Sequence, residues 1–164
     1  MFMQLLATPF VLSERPAGTK RFPHGHYLVP DTNVLLNGMD LFEQTSAFYD
    51  VVILQTVLEE LRNRSIPLYN RLVGITKSEE KRFYVFFNDF RLETHVPRGQ
   101  GETINDRNDR AVRRAVKWYG EHLQKAAKAT VWMKKCPSIV MLSDDKENLE
   151  KARKEKLEAC SCKA

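Results

Sequence analysis

His26-Tyr27-Leu28-Val29-Pro30-Asp31-Thr32-Asn33-Val34-Leu35-Leu36 is the stretch on which the fold turns. Tyr27-Leu28-Val29 is a short apolar run that Pro30 ends, and an acid follows at once. Two more runs have the same build: Val51-Val52-Ile53-Leu54 and Ile139-Val140-Met141-Leu142. Short, continuous, β-branched or aliphatic runs are what strands buried on both faces look like. Helical patterns alternate with them. One spans Thr56 to about Arg64, with Thr56 as N-cap and Glu59 in the capping-box position. Others cover Ser65 to Lys77, around Pro67, then Asn105 to about Gln124, and Asp145 to about Lys156. Strands alternating with helices predict an α/β fold with a central, mostly parallel sheet. One segment breaks the alternation: Phe83 to Phe87 and Glu93 to Val96 flank Asn88 to Leu92 and predict an inserted hairpin.

The rest of the chain sets bounds. Its 164 residues suffice for one domain with a core, and 43% hydrophobic with 29% charged residues is ordinary for a soluble protein. A net charge of +5 leans weakly toward a polyanionic partner. Three cysteines without a C-x-x-C pair argue against a disulfide framework or a zinc site, and fit a reducing compartment. No apolar run approaches the roughly 18 residues of a membrane span. The apolar start, Met1 to Leu12, lacks the basic flank and a clear cleavage site of a signal peptide and reads as a strand or packing segment, with a signal sequence as the lesser alternative. Ser13 to Gly25 reads as a loop leading into the domain.

In an open parallel sheet, ligands bind beyond the carboxyl ends of the strands. Acids stand at four such places: Asp31; Glu59 or Glu60; Asp106 or Asp109; Asp144 or Asp145. Helical geometry, at about 100° per residue, helps choose. Asp109 lies roughly 60–70° from the centre of the apolar face of the long helix, and Asp106 about twice as far. Glu60 lies about 110° from the corresponding centre on its helix and Glu59 about 150°, a smaller margin. Asp144 and Asp145 are not separated by pattern. Gathered carboxylates repel and raise one another's pKa unless a cation neutralises them, and hard oxygen ligands suit Mg²⁺ or Mn²⁺. Each acid also has a plainer reading: Asp31 and Asp145 as helix N-caps, Asp109 as an electrostatic aid to the first turn. On the long helix, Arg107, Arg110, Arg113, Arg114 and Lys117 form a stripe nearly opposite the apolar face, with no interleaved acid on that stripe. It is a solvated face, a docking surface for an acidic partner, or a contact for RNA phosphates.

The ordered blocks resemble the PIN domains of the Dis3 (Rrp44) family of RNA-exosome nucleases. They are the opening stretch, Leu54-Gln55-Thr56-Val57-Leu58-Glu59-Glu60-Leu61-Arg62-Asn63-Arg64-Ser65, Asn105-Asp106-Arg107-Asn108-Asp109-Arg110-Ala111, and Lys117-Trp118-Tyr119-Gly120-Glu121-His122-Leu123. The resemblance runs from about His26 to Cys162. It implies a three-layer α/β/α fold over residues 26–164, with residues 1–25 as an N-terminal extension. It implies metal-dependent endoribonuclease activity on single-stranded RNA, with Asp31, Glu60, Asp109 and Asp145 holding two Mn²⁺ or Mg²⁺ ions. Thr32, Asn33 and Ser143 would support those ligands or a scissile phosphate. Exosome core subunits are the implied partners, and the nucleus with its nucleolus, and the cytoplasm, the implied location. In that family a further helix follows the last strand, so the domain would be truncated near Cys160-Ser161-Cys162. The exonuclease region that accompanies such domains is not matched here, so processive 3′→5′ activity is not assigned.

Overall fold

The computed structural model describes residues 18–44, 48–129 and 136–162. The segment Met1 to Leu12, expected as a strand or packing segment, lies outside the described residues. The elements run β1 (His26–Pro30), α1 (Thr32–Glu43), β2 (Asp50–Leu54), α2 (Gln55–Arg64), α3 (Ile66–Thr76), β3 (Arg82–Phe86), α4 (Ile104–Ala129), β4 (Ser138–Leu142), α5 (Lys146–Lys154) and β5 (Ala159–Cys160). The strands form one sheet in the order β3-β2-β1-β4-β5. Every pairing is parallel, with Leu28 opposite Val51 and Val140, and Leu54 opposite Phe86.

The chain steps outward one way from β1 through β2 to β3, then returns to the other side of β1 for β4 and β5. Parallel crossovers are right-handed, so reversing the direction of travel moves the connecting helix to the opposite face of the sheet. The outcome is helices on both faces, an α/β/α sandwich. The strand order reverses between β1 and β4, which opens a crevice at their carboxyl ends. Asp31 N–H donates to Leu142 O at 3.0 Å there, so the carboxyl ends of β1 and β4 are fixed side by side.

The three apolar runs are strands because burial on both faces removes any use for alternation: all five residues of β2 are buried. Tyr27, Leu35, Phe42, Ile53, Leu54, Leu61, Phe86, Leu123 and Met141 are almost wholly shielded. Fully burying such side chains is worth about 1.5–3 kcal/mol each before chain entropy is counted. Phe86 stacks on Trp118 at 5.5 Å and meets Tyr119 edge-on at 4.9 Å, which seats α4 on β3.

Two local expectations are corrected. Phe83–Phe87 and Glu93–Val96 are not a hairpin. Arg82–Phe86 is a parallel edge strand in register with β2, and Glu93–Val96 lies in turn and loop. Phe83 and Phe86 gain more by burial in the main core than a local hairpin offers, and an isolated hairpin is marginal in water. Thr56 does not cap α2, which begins at Gln55 after Leu54 without a local side-chain cap. The Thr56 N–H is instead accepted by Asn88 Oδ1 at 3.2 Å, from 32 residues away. Ser65 does cap α3, accepting from Leu68 N–H, with Pro67 in the first turn. The long helix extends past its expected end, to Ala129.

Candidate active site

Asp31 leaves β1 at the crevice and is 4% exposed. Its Oδ1 accepts the Val34 N–H at 2.9 Å and so caps α1. Burial pushes its pKa up, and the nearby Asp144 and Asp145 push it further, against hydrogen bonds from Ser143 and Val34. Across the crevice Asp145 caps α5 in the same way, accepting from Asn148 N–H at 3.0 Å. Ser143 joins the two acids: its hydroxyl bonds to Asp31 and its Oγ accepts the Asp145 N–H at 3.2 Å. Both aspartates are therefore N-caps and members of one acidic rim. The two readings do not compete, because capping occupies one oxygen of each carboxylate.

Glu60 comes from α2 and is partly buried, whereas Glu59 is exposed. Thr32 Oγ1 donates to Glu60 Oε2 at 2.9 Å, and Asn108 Nδ2 donates to the same oxygen at 3.2 Å. Arg64 Nη1 lies 3.7 Å from Glu60 Oε1 and donates to Asn33 Oδ1 at 2.9 Å. Thr32 and Asn33 thus act on Glu60, one directly and one by steering its cation. Asp109 comes from α4. Burial raises its pKa first, then the charges of Asp31, Asp145 and Glu60, and Arg113 offsets only part, leaving it at about 7. The charges of all three other acids reach this carboxyl, and the bonds of Ser143 to Asp31 and Asp145, of Thr32 to Glu60 and of Asn108 to Glu60 bring the four segments to one rim. Asp106 is turned away, bonded to Thr103 Oγ1 at 2.6 Å. Asp144 faces the last strand, accepting from Ser161 Oγ at 2.7 Å and Cys162 N–H at 3.0 Å.

The donor set is one of hard carboxylate oxygens carrying more negative charge than Arg64 and Arg113 balance. That chemistry fits a divalent, oxygen-seeking cation held by Asp31, Glu60, Asp109 and Asp145. Among the described residues no three acidic, histidine or cysteine side chains stand close enough, as placed, to chelate an ion.

The basic stripe is corrected. Arg113 is buried, with Nη1 on Asn148 Oδ1 at 2.6 Å and Nε on Glu155 Oε1 at 2.9 Å. Arg107 pairs with Asp89 at 2.6 Å, and Arg110 pairs with Glu102 at 2.7 Å. Arg114 donates to Glu93 O at 2.9 Å. Helical projection counts only acids on the same helix, and these acids arrive from the loop before α4 and from the end of α5. Arg114 and Lys117 remain exposed. Sequence reasoning missed Asn108 and Arg64 as partners of Glu60. The i,i+4 spacing of Glu60 and Arg64 was the available signal; Asn108 reaches Glu60 across 48 residues and left none.

Residues 28–163 match the family profile described as PIN domain. This chain belongs to the PIN domain family. The PIN domain is similar to the trypanosomal structure titled "Structure of T. brucei RRP44 PIN domain", with a TM-score of 0.73 and 34% identity over 84% of this chain and 74% of that one. It is 43% identical over 151 residues to the mouse exosome complex exonuclease RRP44, and 41% identical over 153 residues to the fission-yeast exosome complex exonuclease dis3. Those matches cover 92% and 93% of this chain. It spans only 15% of the length of either relative. The family is one of nucleases, and this PIN domain is of the Rrp44/Dis3 kind. Among the described residues no helix is long and apolar enough to cross a membrane.

Proposed function

We propose that this PIN domain is a divalent-metal-dependent endoribonuclease that cuts single-stranded RNA in exosome-associated processing and decay. The observation that carries the reading is that hydrogen bonds through Ser143, Thr32 and Asn108 link the segments bearing Asp31, Glu60, Asp109 and Asp145 at the switch point of a parallel sheet. Bound Mn²⁺ or Mg²⁺, as two ions, would supply an activated water and stabilise the leaving oxygen. The chain's own part is to hold the carboxylates. Asp31 and Asp145 are locked by the helix ends they cap and by Ser143, while Thr32 and Asn108 orient Glu60. Burial and the charges of Asp31, Asp145 and Glu60 raise the Asp109 carboxyl to about 7, a repulsion that a bound cation would offset.

The test is circular single-stranded RNA, which has no end for an exonuclease, incubated with Mn²⁺. Wild type linearises it, and Asp109→Asn does not. An inert wild type, or equal cleavage by the variant, refutes the proposal.

A second reading is docking onto the exosome core, favoured by the exosome-complex names of the relatives and by the exposed Arg114 and Lys117. Charge reversal at those two positions then weakens co-purification of the core, while Asp31→Asn leaves it intact. Insensitivity to the reversals removes that surface from consideration. On either reading the protein resides in the nucleus, including the nucleolus, and in the cytoplasm, which imaging of the tagged protein checks.

A further inference from the structure

The loop after β3 turns apolar side chains into water although its backbone is firmly held. Phe90 is 78% exposed and Leu92 95% exposed. Asn88, which is fully buried, accepts from Thr56 N–H and donates to Thr56 Oγ1 at 2.7 Å. Asp89 accepts from Thr56 Oγ1 at 3.1 Å and from Arg107 Nη2 at 2.6 Å. Thr94, also fully buried, donates to the Asn88 carbonyl at 2.7 Å. Arg91 sets its guanidinium 4.6 Å from the centre of the Trp118 ring. The loop is thus tied to α2, to α4 and to itself. Phe87 lies beside the exposed ring, 6.4 Å away and tilted by 49°.

The mount ties the loop that carries Phe90 to the two helices that carry Glu60 and Asp109. The residue it grips, Thr56, is one turn before Glu60 on α2, about 6 Å of helix rise. Arg107, which holds Asp89, is followed by Asn108, which holds Glu60. One further turn along α2 stands Arg64, its side chain 47% exposed and steadied by Asn33. Thr56, Glu60 and Arg64 lie on one line of the helix, four residues apart. The loop that carries Phe90 grips one end of the line, Glu60 stands in the middle, and a cation stands at the other end.

We infer that Phe90 is a stacking platform for an unpaired base of the RNA being cut, and that Arg64 holds a phosphate on the far side of the acids. This rests on the ribonuclease reading above. The arrangement meets a problem that four carboxylates pose for a polyanionic strand. Attraction has to come from beside the site, through base stacking, which tolerates any sequence, and through a cation that offsets the acids. A paired base is already stacked on its neighbours, so an aromatic platform selects single strands.

The experiment measures binding of a labelled oligouridylate and of its abasic counterpart in EDTA, where no cleavage occurs, and then KM and kcat on circular RNA with Mn²⁺. Phe90→Ala weakens binding of the oligouridylate by about tenfold and leaves binding of the abasic strand unchanged. KM rises by more than kcat falls. Phe90→Trp restores binding, and its fluorescence is quenched by the oligonucleotide. Arg64→Met weakens both strands. Equal affinity of wild type and Phe90→Ala for oligouridylate overturns the inference, including the case in which Phe90→Ala loses a protein partner instead. So does a wild type that binds neither strand. Base-dependent binding through Phe90 without any cleavage refutes the ribonuclease reading alone. Cleavage with binding indifferent to Phe90 refutes the platform alone.

Discussion

Replacing Asp109 by Asn should abolish cleavage and at the same time make the metal-free protein more stable. The carboxyl is driven from its usual 3.8 to about 7, first by burial and then by Asp31, Asp145 and Glu60. Between those values the folded protein binds a proton that the unfolded chain has released. Stability therefore falls as pH rises from about 4 to about 7, and stays lower above that. A fully shielded group would lose about 4 kcal/mol over such an interval, and partial solvent access cuts this to about 1–2 kcal/mol. Asn is nearly the same size and does not ionise, so the variant escapes the penalty.

The assay is thermal unfolding in EDTA at pH 5 and pH 8, on wild type and variant side by side. At pH 8 the variant should melt about 2–8 °C higher, given the usual slope for a chain of this size. At pH 5 the gap should shrink. Added Mn²⁺ should then reverse the order, because a ligand that binds only the folded form stabilises whichever protein holds it better. If the variant melts at or below wild type at pH 8 in EDTA, the four acids do not repel through Asp109. The crowded site inferred from the geometry then fails.

Asn88→Ala should destabilise the fold by about 1–3 kcal/mol in urea titration, because the buried Thr56 N–H loses its acceptor; an unchanged midpoint would mean that water replaces the cap. Thr32→Val removes the hydroxyl that orients Glu60 and should weaken Mn²⁺ binding about tenfold by calorimetry, with the fold retained. Glu102 is held down to about 2 by Arg110 and the Gly99 N–H, so its contribution is present above about 4.5 and lost as pH falls toward 2. Glu102→Gln should flatten acid unfolding in that window, and an identical acid limb in the variant would contradict it.

Residues in sequence carried the sheet. The three apolar runs read as buried parallel strands, and Asp31 stood visibly at the end of one of them. Helical projection preferred Asp109 over Asp106 because the apolar face of α4 is long and unambiguous. It preferred Glu60 over Glu59 by less, because α2 is short. Asp144 and Asp145 stayed inseparable by pattern, since a strand-to-helix turn has no period. In the fold, Asp145 caps α5 and its charge helps raise the Asp109 carboxyl, while Asp144 bonds to Ser161.

What periodicity determined about this protein is therefore whatever one element decides alone: which runs are strands, which face of a helix is apolar, which acids sit at chain ends. Tertiary structure decided whatever needs two distant segments. The expected hairpin became an edge strand because β2 offered Phe83 and Phe86 a better surface. The cap of α2 came from Asn88, and three of the five cations in the α4 stripe are paired with Asp89, Glu102 and Glu155. Hydrogen bonds and ion pairs act over a few ångströms of space and take no account of distance along the chain, so they surface only once the segments have been brought together.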